Sequence, residues 1–272
     1  MRASDCTPLM LWLAGAVVLT TLSSPARADP TRYVLGSDLG SSTGQYGTTV
    51  DTRINTFRLR GEVHTDDWDA TLSVPWLSID GSPGVVPGAG AAVNPKKRGK
   101  AGATTATASG LGDIGLTLGH DLFYDGTSRT GADLTGRLKL GTASKGEGLG
   151  TGSTDAGLLL AVYSRFGPLI ALADLGTTRQ GSSSTLNLRP WVADTSLTAV
   201  WRPNDRLSLS AALDAAEPTT FGGTSTRSLS MAASRTLGSA STPWTIQGSV
   251  SKGLTVASPD VSASFGLRRR FD

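Results

Sequence analysis

Apolar and polar residues alternate along most of this chain, and long stretches of helical periodicity are absent. Between residues 57 and 76 the alternation runs through two arms, separated by a short polar segment at residues 65–67. Alternation with a period of two predicts a β-strand with one apolar and one polar face. Two such arms predict an antiparallel hairpin, and each arm has the roughly ten residues that a tilted strand needs to cross a bilayer.

The same pattern recurs along the chain, with tight connections at one end of the segments and wider loops at the other. Tight connections are expected at residues 65–67, 125–130, 165–168, 203–205 and 237–242. Wider loops are expected at residues 41–50, 80–110, 143–154, 177–184, 216–226 and 253–259. The segments between them cover residues 31–40, 51–64, 68–79, 111–122, 131–141, 155–165, 169–176, 185–202, 206–215, 227–236, 243–252 and 260–271.

Alternating short and long connections and an even strand number are typical of outer-membrane β-barrels. We therefore expect an all-β fold, an antiparallel transmembrane up-and-down barrel of about 12 strands, with both termini on the periplasmic side. Pro190 interrupts one segment, because proline cannot donate to a sheet ladder, and counts of ten or fourteen strands remain open.

Composition favours a barrel over a periplasmic β-sandwich, although both alternate. Glycine supplies 34 of the 272 residues, and many positions on the apolar faces are alanine or glycine, which suit a lipid-facing wall better than a packed core. Aromatic residues beside the tight turns would form an interfacial girdle, although aromatics can flank turns in any β protein. The girdle residues are Trp68, Phe123, Tyr124, Tyr163, Phe166, Trp201, Trp244 and Phe271.

The first 28 residues predict a cleaved secretory signal peptide, followed by one barrel domain over residues 29–272. An apolar run from Leu9 to Leu22 precedes small residues that end at Ala28, and this run is shorter than the roughly 20 residues of a spanning helix. The single cysteine, Cys6, lies in this leader, so the mature chain has no thiol chemistry. The formal net charge of only +3 predicts no nucleic-acid partner.

The last strand, residues 260–271, resembles the closing strand of Gram-negative outer-membrane barrels. It ends on Phe271, and such an aromatic end is read by the barrel assembly machinery. Asp272 and Arg269 depart from that pattern, the first by following the aromatic residue and the second by lying on the apolar face. An outward arginine is tolerable near the membrane interface, where it costs about 0 to 1 kcal/mol.

Three short motifs follow one another in the middle of the chain: Ser109-Gly110-Leu111-Gly112-Asp113-Ile114, Leu138-Lys139-Leu140-Gly141-Thr142 and Leu149-Gly150-Thr151-Gly152-Ser153-Thr154-Asp155. Together they resemble the outer-membrane transporter family associated with meta-pathway phenol degradation. Gly141 and Ala143 stand where that family has proline and glycine. The resemblance implies a barrel that passes small apolar or aromatic compounds, and it supplies no binding residue.

Nine charged side chains lie on the polar register of the predicted strands and would face the barrel interior. Charges there must be paired or hydrated, so they either pair across the lumen and partly plug it or line a pore. Twelve strands should leave a narrow passage, because eight are just filled by side chains and 16 to 18 leave an aqueous channel. The predicted pore-lining residues are Arg58, Arg60, Glu62, Asp69, Asp113, Asp133, Arg137, Lys139 and Arg268.

A barrel enzyme acting on lipid or surface substrates is the alternative from another functional class. A Ser-His site needs a histidine within hydrogen-bond reach of a serine. The two histidines, His64 and His120, fall near the periplasmic ends of strands, whereas such enzymes work at the outer leaflet or beyond. We therefore expect no catalytic residue, no metal site and no cofactor.

These observations predict an outer-membrane channel or transporter that passes small, apolar or aromatic molecules and is not an enzyme. A closed barrel with a structural or adhesive role is the second alternative. Expected partners are a small-molecule solute, outer-membrane lipid with lipopolysaccharide, and the barrel assembly machinery. We expect a monomer, because trimeric porins are usually larger. The basic run Lys96-Lys97-Arg98-Gly99-Lys100 would contact lipopolysaccharide, or form a solvated loop.

Overall fold

The computed structural model describes residues 31–88, 105–144, 146–184, 186–238 and 243–271. The predicted signal peptide and the basic run at residues 96–100 lie outside these ranges. Within them the strands are β1 (Arg32–Gly44), β2 (Thr52–His64), β3 (Trp68–Gly81), β4 (Ala106–Leu111), β5 (Ile114–Asp125), β6 (Thr130–Leu140), β7 (Asp155–Phe166), β8 (Leu169–Arg179), β9 (Trp191–Asn204), β10 (Leu207–Ala216), β11 (Thr226–Leu237), β12 (Trp244–Gly253) and β13 (Val261–Phe271). No helix in the described part of the chain is long and apolar enough to cross a membrane.

Twelve of these strands close a ring. Sequential antiparallel pairing runs from β1 through β2 and β3 to β5, and then from β5 to β13. The ring closes because β13 pairs with β1 over a register that extends from Tyr33 opposite Phe271 to Thr43 opposite Val261. The predicted antiparallel barrel of twelve strands is confirmed, with β4 as an additional strand.

β4 and β5 form one interrupted element of the wall. β3 pairs with β5 at the start of its length and with β4 at its end. Between the two pairings lies Pro75, which has no N–H to donate, and its carbonyl accepts the N–H of Gly112 at 2.8 Å. The prediction that residues 80–110 form a loop was therefore wrong at β4, whose Ala-Thr-Ala-Ser-Gly-Leu sequence has too little apolar contrast to reveal a strand.

Among the other boundaries, the largest differences from the prediction are at the end of β1 and the start of β9. β1 continues to Gly44 rather than ending at residue 40. β9 begins at Trp191, directly after Pro190, so the predicted strand over residues 185–202 was wrong for its first part. In both cases the change lies at the end of the barrel that carries the wider connections.

The two ends of the barrel differ as expected. Short connections join β2 to β3, β5 to β6, β7 to β8 and β9 to β10. The same end of the barrel holds Arg32, where β1 begins, and Phe271, where β13 ends. We call this the turn end, and the opposite one the loop end. Outer-membrane barrels have short periplasmic turns and longer extracellular loops, which places the turn end in the periplasm.

The outer and inner faces of the wall have opposite character. Large apolar side chains on the outer face are exposed, among them Leu35, Leu39, Phe57, Leu72, Leu158, Leu175, Leu197, Leu213, Met231, Val250 and Phe265, whereas the inner face buries polar and charged ones. An apolar exterior is the reverse of a soluble sandwich and the arrangement that a bilayer requires.

The aromatic girdle is confirmed in part. Trp68, Phe123, Phe166, Trp201 and Trp244 are exposed at the turn end. Tyr163, however, is only 1% exposed and lies on the inner face, with its ring stacked on that of Tyr124 at a centroid distance of 6.3 Å. Tyr124 therefore also lies on the inner face, and the prediction that Tyr124 and Tyr163 belong to the girdle was wrong.

Candidate functional site

The barrel interior collects the charged residues that the sequence singled out. Six of the nine are buried on the inner face: Arg60, Glu62, Asp69, Asp133, Lys139 and Arg268. Arg58, Asp113 and Arg137 project to the same side and are half-buried. The strands therefore bring all nine to the lumen, although they do so in separate groups.

The first group, which we call the arginine cluster, joins β1, β2 and β13. Arg60 lies 3.1 Å from Asp38 and 3.9 Å from Glu62. Arg268 on β13 approaches Glu62 at 3.5 Å, and His64 approaches it at 3.3 Å. The charges thus pair along the wall, either within β2, with the neighbouring β1, or, for Arg268 and Glu62, across β1.

Glycines on the inner face let polar side chains reach past an intervening strand. Gln247 on β12 donates to Asp38 on β1 at 2.8 Å, across β13. A side chain at Gly266 would collide with both partners of this hydrogen bond. The absence of a side chain at this position therefore allows Gln247 on β12 to reach the arginine cluster.

The longest polar reach runs from β6 to β9. The Arg137 guanidinium donates to both carboxylate oxygens of Asp194 at 3.0 Å, passing over β7 and β8. A side chain at Gly176 on β8 would collide with the Asp194 carboxylate. This ion pair therefore lies along one side of the lumen and does not cross its centre.

The second group, the lysine cluster, is centred on a buried lysine. The Lys139 ammonium lies 2.7 Å from Asp155 and 3.3 Å from Asp113, and it also donates to Thr151. The Asp113 carboxylate accepts the N–H of Ala143 at 3.0 Å as well. Two carboxylates and a hydroxyl therefore surround one cation, which is the arrangement that a buried charge requires.

The lysine cluster explains the three motifs noted in the sequence. Each motif contributes a part of it, and the Thr142 hydroxyl joins two of them by donating to the Gly112 carbonyl at 2.9 Å and accepting the N–H of Ile114 at 3.0 Å. A side chain at Gly150 would collide with Ala143. The motifs thus anchor the β6–β7 connection to the start of β5, which is a structural role.

Five inner-face carboxylates were not predicted from the sequence, and a sixth, Asp155, was noted only as part of a motif. The alternation of polar and apolar residues could have predicted them, because each lies at a polar position of its strand. Asp174, Asp194 and Asp214 lie on β8, β9 and β10, and in a ring of twelve strands β9 is opposite β2. These three carboxylates therefore face the arginine-bearing wall across the lumen. Of the other two, Asp38 pairs within the arginine cluster, and Asp121 lies on β5 opposite Asp133.

The uncharged inner face has two regions, which we call the apolar strip and the hydroxyl wall. The apolar strip lies on β7 to β9 and consists of Leu159, Ala161, Tyr163, Ile170, Leu172 and Val200. The hydroxyl wall lies on β10 to β13 and consists of Ser208, Ser210, Ser228, Ser230, Ser234, Thr245, Ser249, Ser251, Ser262 and Ser264.

The connections at the loop end fold over the lumen. Tyr46, Val85 and Leu149, from three different connections, pack with inner-face residues Ile54 and Ile79. Val86 contacts Leu186, which joins the connections after β3 and β8. All of these side chains are buried, so the loop end of the lumen carries packed apolar clusters.

Tyr46 is fixed within the apolar cluster at the loop end. Its hydroxyl lies 2.6 Å from that of Ser42, and its backbone is left-handed with φ of 50°. Burial raises the pKa of Tyr46 to about 12, and the nearby Asp260 adds to this shift while the Ser42 hydrogen bond opposes it. The phenol thus keeps its proton at physiological pH.

The two histidines lie apart at the turn end. The His64 Nε2 atom lies 3.3 Å from the Glu62 carboxylate, whereas the His120 ring stacks on Trp68 at 4.3 Å and its Nδ1 lies 2.9 Å from the carbonyl of Asp67. None of these contacts involves a serine hydroxyl. In the part of the chain that the structure describes, no three His, Cys, Asp or Glu side chains could hold a metal ion.

Comparison with known proteins supports the fold. No protein-family model and no curated protein matches the chain. The crystal structure of an outer membrane channel from Pseudomonas putida F1 is 14% identical, with a TM-score of 0.65 over 92% of this chain and 99% of that one. The KdgM porin in complex with disordered oligogalacturonate is 7% identical, with a TM-score of 0.47 over 87% and 98% of the chains. The CymD monoaromatic hydrocarbon channel is 11% identical, with a TM-score of 0.42 over 88% and 87%.

The class of protein follows from the wall and from the first of these similarities. A closed antiparallel ring with an apolar exterior, a polar interior and short turns at the end that holds the termini is an outer-membrane β-barrel. This chain has that fold, in the twelve-stranded form with one additional strand.

Replacing Lys139 by methionine should destabilise the barrel. The substitution leaves the Asp113 and Asp155 carboxylates close together without their cation, and removing one partner of a buried ion pair costs about 3 to 5 kcal/mol. Urea unfolding in lipid vesicles should reveal a loss of that size. The matched control is Lys252→Met, because Lys252 is exposed on the outer face, and its effect should stay within about 0.5 kcal/mol. Equal losses in the two variants would contradict the role of the lysine cluster.

Proposed function

We propose that this protein is an outer-membrane channel or transporter that passes small molecules through its lumen. The preferred solutes combine an apolar or aromatic body with a polar group. Neither a cofactor nor a catalytic residue takes part in this function. The protein acts as a monomer, exported by a leader that is removed after Ala28, and inserted by the barrel assembly machinery.

Unused hydrogen-bonding capacity on the hydroxyl wall carries the proposal. The hydroxyls of Ser208, Ser210, Ser251 and Ser262 are buried and make no hydrogen bond to the described part of the protein. Buried polar groups nearly always have a partner, and the partner available inside a barrel is water or a solute. A structural or adhesive barrel has no need of such a surface.

The apolar strip gives the passage a second kind of surface next to the first. Leu172 on β8 and Ala232 on β11 both belong to the cluster around Tyr163, so the strip extends to the edge of the hydroxyl wall. A small ring that carries a hydroxyl group can contact the strip with its ring and a serine with its hydroxyl. Such recognition uses apolar contact for affinity and a few polar groups for orientation.

The motif resemblance supports the same solute class. We infer a relationship to the outer-membrane transporters associated with meta-pathway phenol degradation, because the three motifs follow one another in the order of that family, although no family model matches the chain. The rival hypothesis of a barrel enzyme gains no support from the separate surroundings of His64 and His120.

Phenol should partly block the ion current of the refolded mature protein in a planar bilayer. A phenol molecule in the lumen occupies the narrow passage and lowers conductance in proportion to its occupancy. Leu172→Ser removes apolar contact worth about 1 to 3 kcal/mol and should weaken the block roughly tenfold. The measurement is single-channel conductance during titration with phenol, with glycerol as the non-aromatic comparison.

The control is Leu175→Ser on the same strand, because Leu175 is 66% exposed on the outer face and does not line the lumen. This variant should be blocked like the unmodified protein. A folded protein with no conductance would contradict the channel, whereas conductance without phenol block would contradict the solute class alone.

Ion selectivity should follow the opposed charges of the lumen. A unit charge about 8 Å from an ion in water contributes about 0.5 kcal/mol, or a factor of about 2 in occupancy. Arg58→Gln should therefore raise the cation-to-anion permeability ratio by about this factor, and Asp214→Asn should lower it.

Reversal potentials in a KCl gradient measure this ratio. Arg53→Gln is the control, because Arg53 lies on the outer face of the same strand as Arg58. Shifts of the same sign in the Arg58 and Asp214 variants would contradict the assigned positions of these charges.

A further inference from the structure

Two arginines lie on the outer face of the barrel at its turn end, where most neighbouring side chains are apolar. Arg235 is on β11 and Arg269 on β13, and both alternate with inner-face residues of their strands. Lipid-facing arginine costs about 2 to 4 kcal/mol at the bilayer midplane and about 0 to 1 near the interface. Near the interface this cost is small, and two such residues on one side of the barrel form a basic patch that an anion can bind.

Aromatic rings hold Arg269 in place. Its guanidinium carbon lies 5.2 Å from the ring centroid of Trp244 and 5.1 Å from that of Phe271, both within the range of a cation–π contact. The Arg269 Nε atom is buried without a hydrogen-bond partner in the described structure, and no carboxylate there pairs with this residue. The remaining guanidinium donors are thus oriented but not used by the protein.

Arg235 lies close enough to act on the same ligand. The strand register sets Arg235 opposite Ile246 and Ile246 opposite Leu267, whereas Arg269 is opposite Trp244. Arg235 is therefore two strands away and two residues deeper in the membrane, which places the two Cα atoms about 12 Å apart. Each side chain can reach roughly half of that distance, so both can bind one group above Ile246 and Trp244.

We propose that Arg235 and Arg269 bind the phosphate group of an anionic phospholipid in the periplasmic leaflet. Guanidinium groups bind phosphate through paired N–H donors. Tryptophan and other aromatic residues of a girdle lie at the level of the headgroups, so Trp244 and Phe271 place Arg269 at the depth where lipid phosphates are found. Two arginines with no acidic partner among the described residues favour a lipid with net negative charge over a zwitterionic one.

Native mass spectrometry of the folded protein tests this site. The detergent-solubilised protein is titrated with phosphatidylglycerol, or with phosphatidylethanolamine of the same acyl chains. We expect phosphatidylglycerol to bind at least tenfold more tightly to the unmodified protein. Arg235→Gln and Arg269→Gln should each weaken its binding, and the double variant should remove the preference for the anionic lipid.

The matched control is the double variant Arg53→Gln with Arg179→Gln, because these arginines also lie on the outer face but at the loop end. This control should keep the lipid preference. An unchanged preference in the Arg235 and Arg269 double variant, or an equal loss in the control, would overturn the site. Displacement of phosphatidylglycerol by inorganic phosphate at the same concentration would show a phosphate site that is not specific for lipid, and would also overturn the proposal.

Discussion

The pairing of β13 with β1 is the interaction on which the rest of the structure depends. Inside a bilayer no water is available for backbone N–H and C=O groups, so a sheet can span the membrane only if it has no free edge. The register from Tyr33 opposite Phe271 to Thr43 opposite Val261 removes the two edges that the ring would otherwise expose. Closure also separates the two faces of every strand, because one face must then contact lipid and the other the lumen.

Closure of the barrel confines the charged side chains of the inner face to a narrow space, in which they must find partners. The ion pairs of Arg60, Arg268 and Lys139 run along the wall between nearby strands, and glycines such as Gly176 and Gly266 make room for longer connections. This arrangement satisfies charge without bridging the centre of the barrel. It leaves the hydroxyl wall and the apolar strip as the surfaces along which we propose that a solute passes.

Much of this architecture was predictable from residue alternation, because β2, β5 and β13 have one apolar and one polar face. Alternation placed all nine charged residues on the inner face but could not pair them, since the contact of Arg137 with Asp194 joins strands that are not neighbours in the ring. The apolar strip was missed for a different reason. On β7 both faces are apolar, with Leu158 and Leu160 outside and Leu159 and Tyr163 inside. The hydropathy pattern therefore does not show which residues of β7 face the lumen.

Cysteine scanning of β13 tests the closed barrel and its two faces most directly, because the only cysteine of the chain, Cys6, lies in the predicted leader. Single cysteines replace Ser262, Ala263, Ser264 and Phe265 in turn, and each variant is treated in membranes with a charged, water-soluble thiol reagent. We expect labelling at positions 262 and 264, which face the lumen, and protection at 263 and 265, which face lipid. Equal labelling at all four positions, or alternation in the opposite phase, would contradict the closed barrel with these two faces.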